Sequence, residues 1–241
     1  MKNKLAYDFL LHYYFKITTD SDYEEVFDST IEKAYEDAVR QGAFNYIVAL
    51  SDIQLVPPVK KTAFKIMLNF LKNHLKTGKF ENDWHEKWCK EIVDIFFPVK
   101  SKKGTAAFSY GNAQKWVNMT LKNMYIIAIA FRSSKENLGN GWYDVIINNA
   151  ECFHIPLDNY VLESALSDFE VVKNYIEVKG KRNKEYRIIS EDKTYPWSQI
   201  PDYDTYIKFQ NVLINEIKKK YYENPIDWEC EAWVKIAENR S

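Results

Sequence analysis

Asn112-Ala113-Gln114-Lys115-Trp116-Val117-Asn118-Met119-Thr120-Leu121-Lys122-Asn123-Met124-Tyr125-Ile126-Ile127-Ala128-Ile129-Ala130-Phe131 is the stretch that decides the fold. Its apolar residues recur at three- and four-residue spacing with no glycine or proline between them, which predicts one long helix. It is apolar enough to belong at the centre of the molecule. The whole chain has only 7 Gly and 7 Pro in 241 residues, so turns are few and the same spacing dominates elsewhere. The expected class is mainly α, a compact multi-helix domain over 1–241 that would divide, if it divides, into lobes 1–98 and 99–241.

Working outward towards the N-terminus, Lys4 to Lys16 reads as a first helix. A second starts at Asp20 or Asp22, carries Tyr23, Val26, Phe27, Ile31, Ala34, Tyr35 and Ala38 on one face, and stops at Gly42. Pro57-Pro58 opens a third, with Phe64, Met67, Leu68, Leu71 and Leu75 as its stripe and Gly78 as its end. Asn82 or Asp83 caps a fourth that bears Trp84, Trp88, Ile92 and Val93 and ends before Pro98. A basic connection, 99–105, leads into the central helix.

Towards the C-terminus, 137–141 is a loop and Trp142 to Ile147 a short segment. Asn159 to Leu166 is a short helix. Residues 175–189 fit a small β-hairpin around Lys179-Gly180-Lys181 as well as they fit an irregular segment. A long helix follows from about Asp202 to Tyr222, and a last one from Asp227 through Trp233. The chain has no internal repeat and no low-complexity segment.

Composition narrows the function classes. With 33 basic and 34 acidic residues the formal net charge is −1, so no global positive field is available for non-specific nucleic-acid binding. Two local basic clusters, Lys100/Lys102/Lys103 and Lys179/Lys181/Arg182/Lys184, would have to supply any grip on a phosphate backbone; runs of this length are more often solvated loops. Cys89, Cys152 and Cys230 are too far apart for a zinc site and read as reduced thiols. No apolar run has transmembrane length, and Asp8, His12 and Lys16 interrupt the N-terminal segment where a signal peptide would be apolar. The expected location is the cytoplasm. Walker, GxSxG, HExxH and dinucleotide-binding motifs do not occur. No metal or organic cofactor is expected.

Two residues carry the chemistry. Lys115 lies in the first turn of the predicted central helix, after Gly111-Asn112-Ala113-Gln114. Asp158 ends His154-Ile155-Pro156-Leu157-Asp158 and precedes a helix that it would cap. An amine nucleophile beside a carboxylate can cleave a glycosidic bond through a Schiff base, because the carboxylate can orient the amine, take its proton and stabilise an oxocarbenium-like sugar. Taken singly, a helical lysine is usually a solvated surface residue, and a Pro-x-Asp is usually no more than a helix cap.

The segment from Tyr110 to Leu166 resembles the helix-hairpin-helix DNA glycosylases. In that superfamily a glycine-containing turn precedes a helix whose first turn bears the catalytic lysine, and a Val-Pro-Val-Asp-like segment downstream supplies the catalytic aspartate. Gly111 and Lys115 match the first part and Ile155-Pro156-Leu157-Asp158 the second. The branch closest in style is the archaeal-type 8-oxoguanine DNA glycosylase/lyase. The pattern departs from the superfamily in having one glycine in the hairpin, and in a 43-residue separation of Lys115 and Asp158 that makes Arg132 to Asn149 an insertion.

The resemblance implies a monomeric, cofactor-free enzyme that excises a damaged or modified base from duplex DNA, with or without lyase activity. Lys115 would be the nucleophile and Asp158 its partner. DNA would be held by Gly111, Asn112 and Gln114 at the helix start, whose backbone N–H groups are offered to a phosphate, and by Lys122 two turns along the same face. His154 is a candidate for a base or phosphate. Trp116, Trp142 and Trp197 are candidate platforms for an extruded base, although in a chain with 7 Trp and 17 Tyr most aromatics serve the core. The alternative is a non-catalytic helical module that binds nucleic acid or, as near-neutral charge favours, a protein partner.

Overall fold

A computed structural model describes residues 2–40, 56–99, 108–134, 141–181 and 184–240. In chain order its helices are α1 (Lys2–Phe15), α2 (Tyr23–Arg40), α3 (Val56–Thr77), α4 (Trp84–Phe96), α5 (Tyr110–Ser134), α6 (Trp142–Asn148), α7 (Asn159–Asp168), α8 (Tyr203–Lys219) and α9 (Pro225–Arg240). Strands β1 (Ile176–Lys179), β2 (Glu185–Ser190) and β3 (Lys193–Pro196) lie between α7 and α8, with 3-10 turns at Ala150–Cys152, Glu170–Tyr175 and Trp197–Gln199. The protein is mainly α, and no described helix is long and apolar enough to cross a membrane.

The decisive stretch is the axis of the molecule. Every residue of α5 from Tyr110 to Leu121 is buried, and α2, α4 and α6 pack around it. A helix enclosed on all sides should be apolar all round. Yet Asn112, Gln114, Lys115, Asn118 and Thr120 are also buried, so their partners must come from the protein. The Trp116 ring anchors α5 to α2, donating from Nε1 to Ile31 O at 3.1 Å. Tyr35 of α2, Phe64 of α3 and Phe96 of α4 contact the same indole edge-on or tilted.

Local signals set the ends. Gly78 stops α3 with φ +75, a left-handed residue after the last turn. Asp158 and Asp202 cap α7 and α8, accepting from Val161 N and Thr205 N at 2.9 Å each. Asp83 occupies the N-cap of α4 without a side-chain cap bond. Several helices differ in length from the spacing-based expectation: α5 starts at Tyr110 and runs to Ser134, and α9 continues past Trp233 to Arg240. The segment at 142 is a helix held by Gly141 and Asp144, with Gly141 N donating to Asp144 Oδ2 at 3.0 Å.

The expected hairpin is a three-stranded antiparallel sheet, β1-β2-β3. Ile176 pairs with Ile188 and Val178 with Tyr186; Arg187 then pairs with Pro196 and Ile189 with Thr194. The buried side chains Ile176, Tyr186 and Ile188 turn towards the protein. Strand β3 escapes a periodicity search because it has four residues and is joined by a two-residue turn, Glu191-Asp192, with Glu191 at φ 54. Gly42, the Lys100/Lys102/Lys103 cluster, Arg182 and most of the 137–141 loop lie outside the described residues.

Candidate active site

Folding brings Lys115 and Asp158 together. The first turn of α5 is seated under the Trp197–Gln199 turn and Ile200, and this crossing explains Gly111. A Cβ at Gly111 would lie 2.0 Å from Trp197 O and 3.1 Å from Ile200 N, so no larger residue fits. Gly111 N donates to Ile200 O at 3.0 Å, and Ser109 Oγ donates to Ser198 O at 2.7 Å.

The opposite wall is the extended segment Phe153–Leu157. Gln114 reaches it with its carboxamide: Nε2 donates to Leu157 O and Oε1 accepts from Leu157 N, each at 3.1 Å. One turn on, Asn118 Nδ2 donates to Ile155 O at 3.1 Å. Next to Gln114 on α5, Lys115 Nζ donates to Asp158 Oδ2 at 2.5 Å.

The carboxylate of Asp158 is divided between two tasks, with Oδ1 capping α7 and Oδ2 receiving Lys115. Burial works to raise its pKa. The Lys115 charge and hydrogen bond, the Val161 N–H and the Lys122 charge outweigh that and hold it below the ordinary value. The arrangement is a buried ion pair, in which the amine would have to give up its proton before it could act as a nucleophile. Lys115 is 1% exposed and Asp158 5%, so the pair is closed to solvent.

A second polar chain lies behind it. His85 of α4 sits 3.1 Å from Tyr110 Oη through Nδ1 and 3.0 Å from Asn118 Oδ1 through Nε2. Asn118 Nδ2 reaches Tyr206 Oη at 2.9 Å, and Tyr206 Oη is 3.0 Å from His154 Nδ1. Burial pushes the His85 pKa well down, with His154 adding to it, and takes His154 to about 3. Both imidazoles are neutral, which fixes one consistent direction: Tyr110 donates to His85, His85 to Asn118, Asn118 to Tyr206, and Tyr206 to His154.

The other sequence candidates are placed as follows. The helix start does not offer free N–H groups to a phosphate: Gly111 N is taken by Ile200 O, and Asn112 N and Ala113 N by Ser109. Asn112 turns its Oδ1 to Ser109 N and Oγ at 3.0 Å each. Gln114 faces Leu157, Lys122 is paired with Glu229 of α9 at 2.9 Å, and the His154 ring lies tilted against His85 and Tyr206. Trp116 is wholly buried in the core and Trp197 is 8% exposed. Trp142 is half-buried against Phe27 and Phe131 and lines a shallow cavity with Leu75, Gly78 and Asp144.

No family model matches this chain, and no match was found among curated proteins or solved structures. The geometry therefore stands alone. Among the described residues no group of three or more His, Cys, Asp and Glu side chains is arranged to hold a metal ion. Sequence reasoning passed over His85, Asn118 and Tyr206. A signal for Asn118 lies in the sequence, because a carboxamide four residues after Gln114 shares its face of a helix that belongs at the centre of the molecule and has to find a buried partner.

Proposed function

We propose that the protein is a DNA N-glycosylase, with or without associated lyase activity, that works through a Schiff base on Lys115. One observation carries this reading: residues 43 apart in sequence meet as a buried lysine–carboxylate pair at 2.5 Å, on the second turn of a helix that starts at Tyr110 and the cap of the next segment's helix. Lys115 passes a proton to Asp158. The amine lone pair forms a bond to the anomeric carbon while the glycosidic C–N bond breaks, and the base leaves with the bonding pair and takes the proton held by Asp158. The amine nitrogen then gives a proton through Asp158 to the ring oxygen as the C–O bond of the sugar ring breaks, which leaves the Schiff base. Asp158, again ionised, stabilises the positive charge that develops on the sugar. Because the pair is closed, the substrate engages an opened state in which Lys115 is exposed.

The closure itself favours a second reading, a non-catalytic binding module in which the pair is a structural ion pair. Borohydride trapping on duplexes carrying 8-oxoguanine, uracil or an abasic site separates the two. The glycosylase reading expects a covalent adduct with the wild-type protein and none with Lys115→Gln. An adduct that persists in Lys115→Gln, or the absence of both adduct and base release on every duplex, would transfer the assignment to the binding module.

A further inference from the structure

Gln114 and Lys115 are neighbours on α5, and they hold neighbours on the facing segment: Gln114 takes Leu157 and Lys115 takes Asp158, both 43 positions away. We propose that Gln114 is the positioning residue of the site, its carboxamide setting the register of the Phe153–Leu157 segment on α5 so that Asp158, and no neighbour, arrives at Lys115. As an account of reactivity this rests on the glycosylase reading; as an account of register it does not.

The carboxamide has two N–H donors and two acceptor lone pairs. Nε2 donates to Gly111 O at 3.0 Å and to Leu157 O, and Oε1 accepts from Leu157 N; its second lone pair faces Asn118 Nδ2, whose two N–H groups are shared among Gln114 Oε1, Ile155 O and Tyr206 Oη. Its two bonds to Leu157 use both backbone groups of one residue, as a residue in a neighbouring strand would. An aliphatic side chain of the same length would fill the space but could not tell Leu157 from the residue on either side. Asn118 adds a single bond to the same segment at Ile155 O, and its orientation is in turn fixed by His85 and Tyr206. A slip of one residue would set Leu157 or Asn159 against Lys115 and leave a buried ammonium without a counter-charge.

The Val161 amide reports the register, because it donates to Asp158 Oδ1 only while Asp158 is in place. Hydrogen exchange at Val161 should quicken at least tenfold in Gln114→Met, with the far side of the fold, at Trp116 and Ile31, unchanged. Gln114→Glu, which keeps the acceptor for Leu157 N, should fall between Met and wild type. On an abasic duplex, the trapping rate of Gln114→Met should drop at least tenfold at unaltered DNA affinity. Val161 exchange at the wild-type rate in folded Gln114→Met would overturn the proposal, as would undiminished trapping. Loss of the fold in both variants would also overturn it, in favour of a purely structural role. If the wild-type protein forms no adduct, the glycosylase reading fails and the exchange rates alone decide the register.

Discussion

Helix α5 carries two lysine–carboxylate pairs two turns apart, and they are built differently. At Lys115 both carboxylate oxygens of Asp158 are engaged, one by the ammonium and one by the Val161 N–H. At Lys122 only Glu229 Oε1 is engaged; Oε2 is buried without a hydrogen-bond partner. Lys115 is sealed at 1% exposure, whereas the Lys122 side chain keeps 13%. A buried pair is favourable only when its remaining lone pairs and protons are also satisfied. By that measure the Asp158 carboxylate is held at both oxygens, whereas the Glu229 carboxylate has slack.

The largest effect expected from this difference is on removal of the acid. Asp158→Ala leaves a sealed ammonium and an uncapped α7, and should lower stability by roughly 3–5 kcal/mol. Glu229→Ala leaves an ammonium that can turn towards water, and should cost less. Equilibrium denaturation of both variants gives the order, and a larger loss at Glu229 would break the comparison. Double-mutant cycles sharpen it: the coupling between Lys115 and Asp158 should exceed that between Lys122 and Glu229.

A smaller effect is the opposite pH response of the two pairs. Asp158 has its pKa lowered by folding, so its contribution is present above the ordinary carboxylate value of 3.8 and is lost as pH falls through the folded value below it. Lys122 is shifted the other way. Burial works to lower its pKa, but the Glu229 charge and hydrogen bond outweigh that and raise it above 10.5. Its contribution is full below 10.5 and is lost as pH rises through the folded value. Thermal melts against pH should therefore show Asp158→Asn flattening the acid limb and Lys122→Gln the alkaline limb. The smallest change expected is Glu229→Gln near neutral pH, where a shape-preserving amide keeps an acceptor for Lys122; a loss there equal to that of Asp158→Asn would show that the second pair is as tightly specified as the first.

Legibility differed between the pairs as well. Asp158 is legible as a cap from Pro156-Leu157-Asp158 before an apolar helix, and Lys115 from its place near the start of α5, although the helix begins at Tyr110 and so puts Lys115 in the second turn and not the first. Lys122, a DNA contact on the family resemblance, is paired with Glu229, 107 positions away, and its sequence neighbourhood carries no trace of that partner. Gln114 is a DNA contact only on the family resemblance; its carboxamide is turned to Leu157, a partner that no residue near it in the sequence announces. Trp116 shows the converse. Its own helix gave no reason to choose between a stacking platform and the core, and the choice fell to Tyr35, Phe64 and Phe96 from three other helices.

The sequence by itself determined the helical class, the apolar axis and several helix ends, because three- and four-residue spacing, capping aspartates and a left-handed glycine act over a few neighbouring residues. It also marked Lys115 and Asp158 as chemically suited to one another. Only the tertiary structure decided that they meet and that the α5 N–H groups are taken by Ser109 and Ile200. It likewise decided that β3 extends the hairpin and that Gln114 faces Leu157. Those outcomes depend on which backbone groups distant segments bring to a buried polar side chain, and no local pattern encodes them.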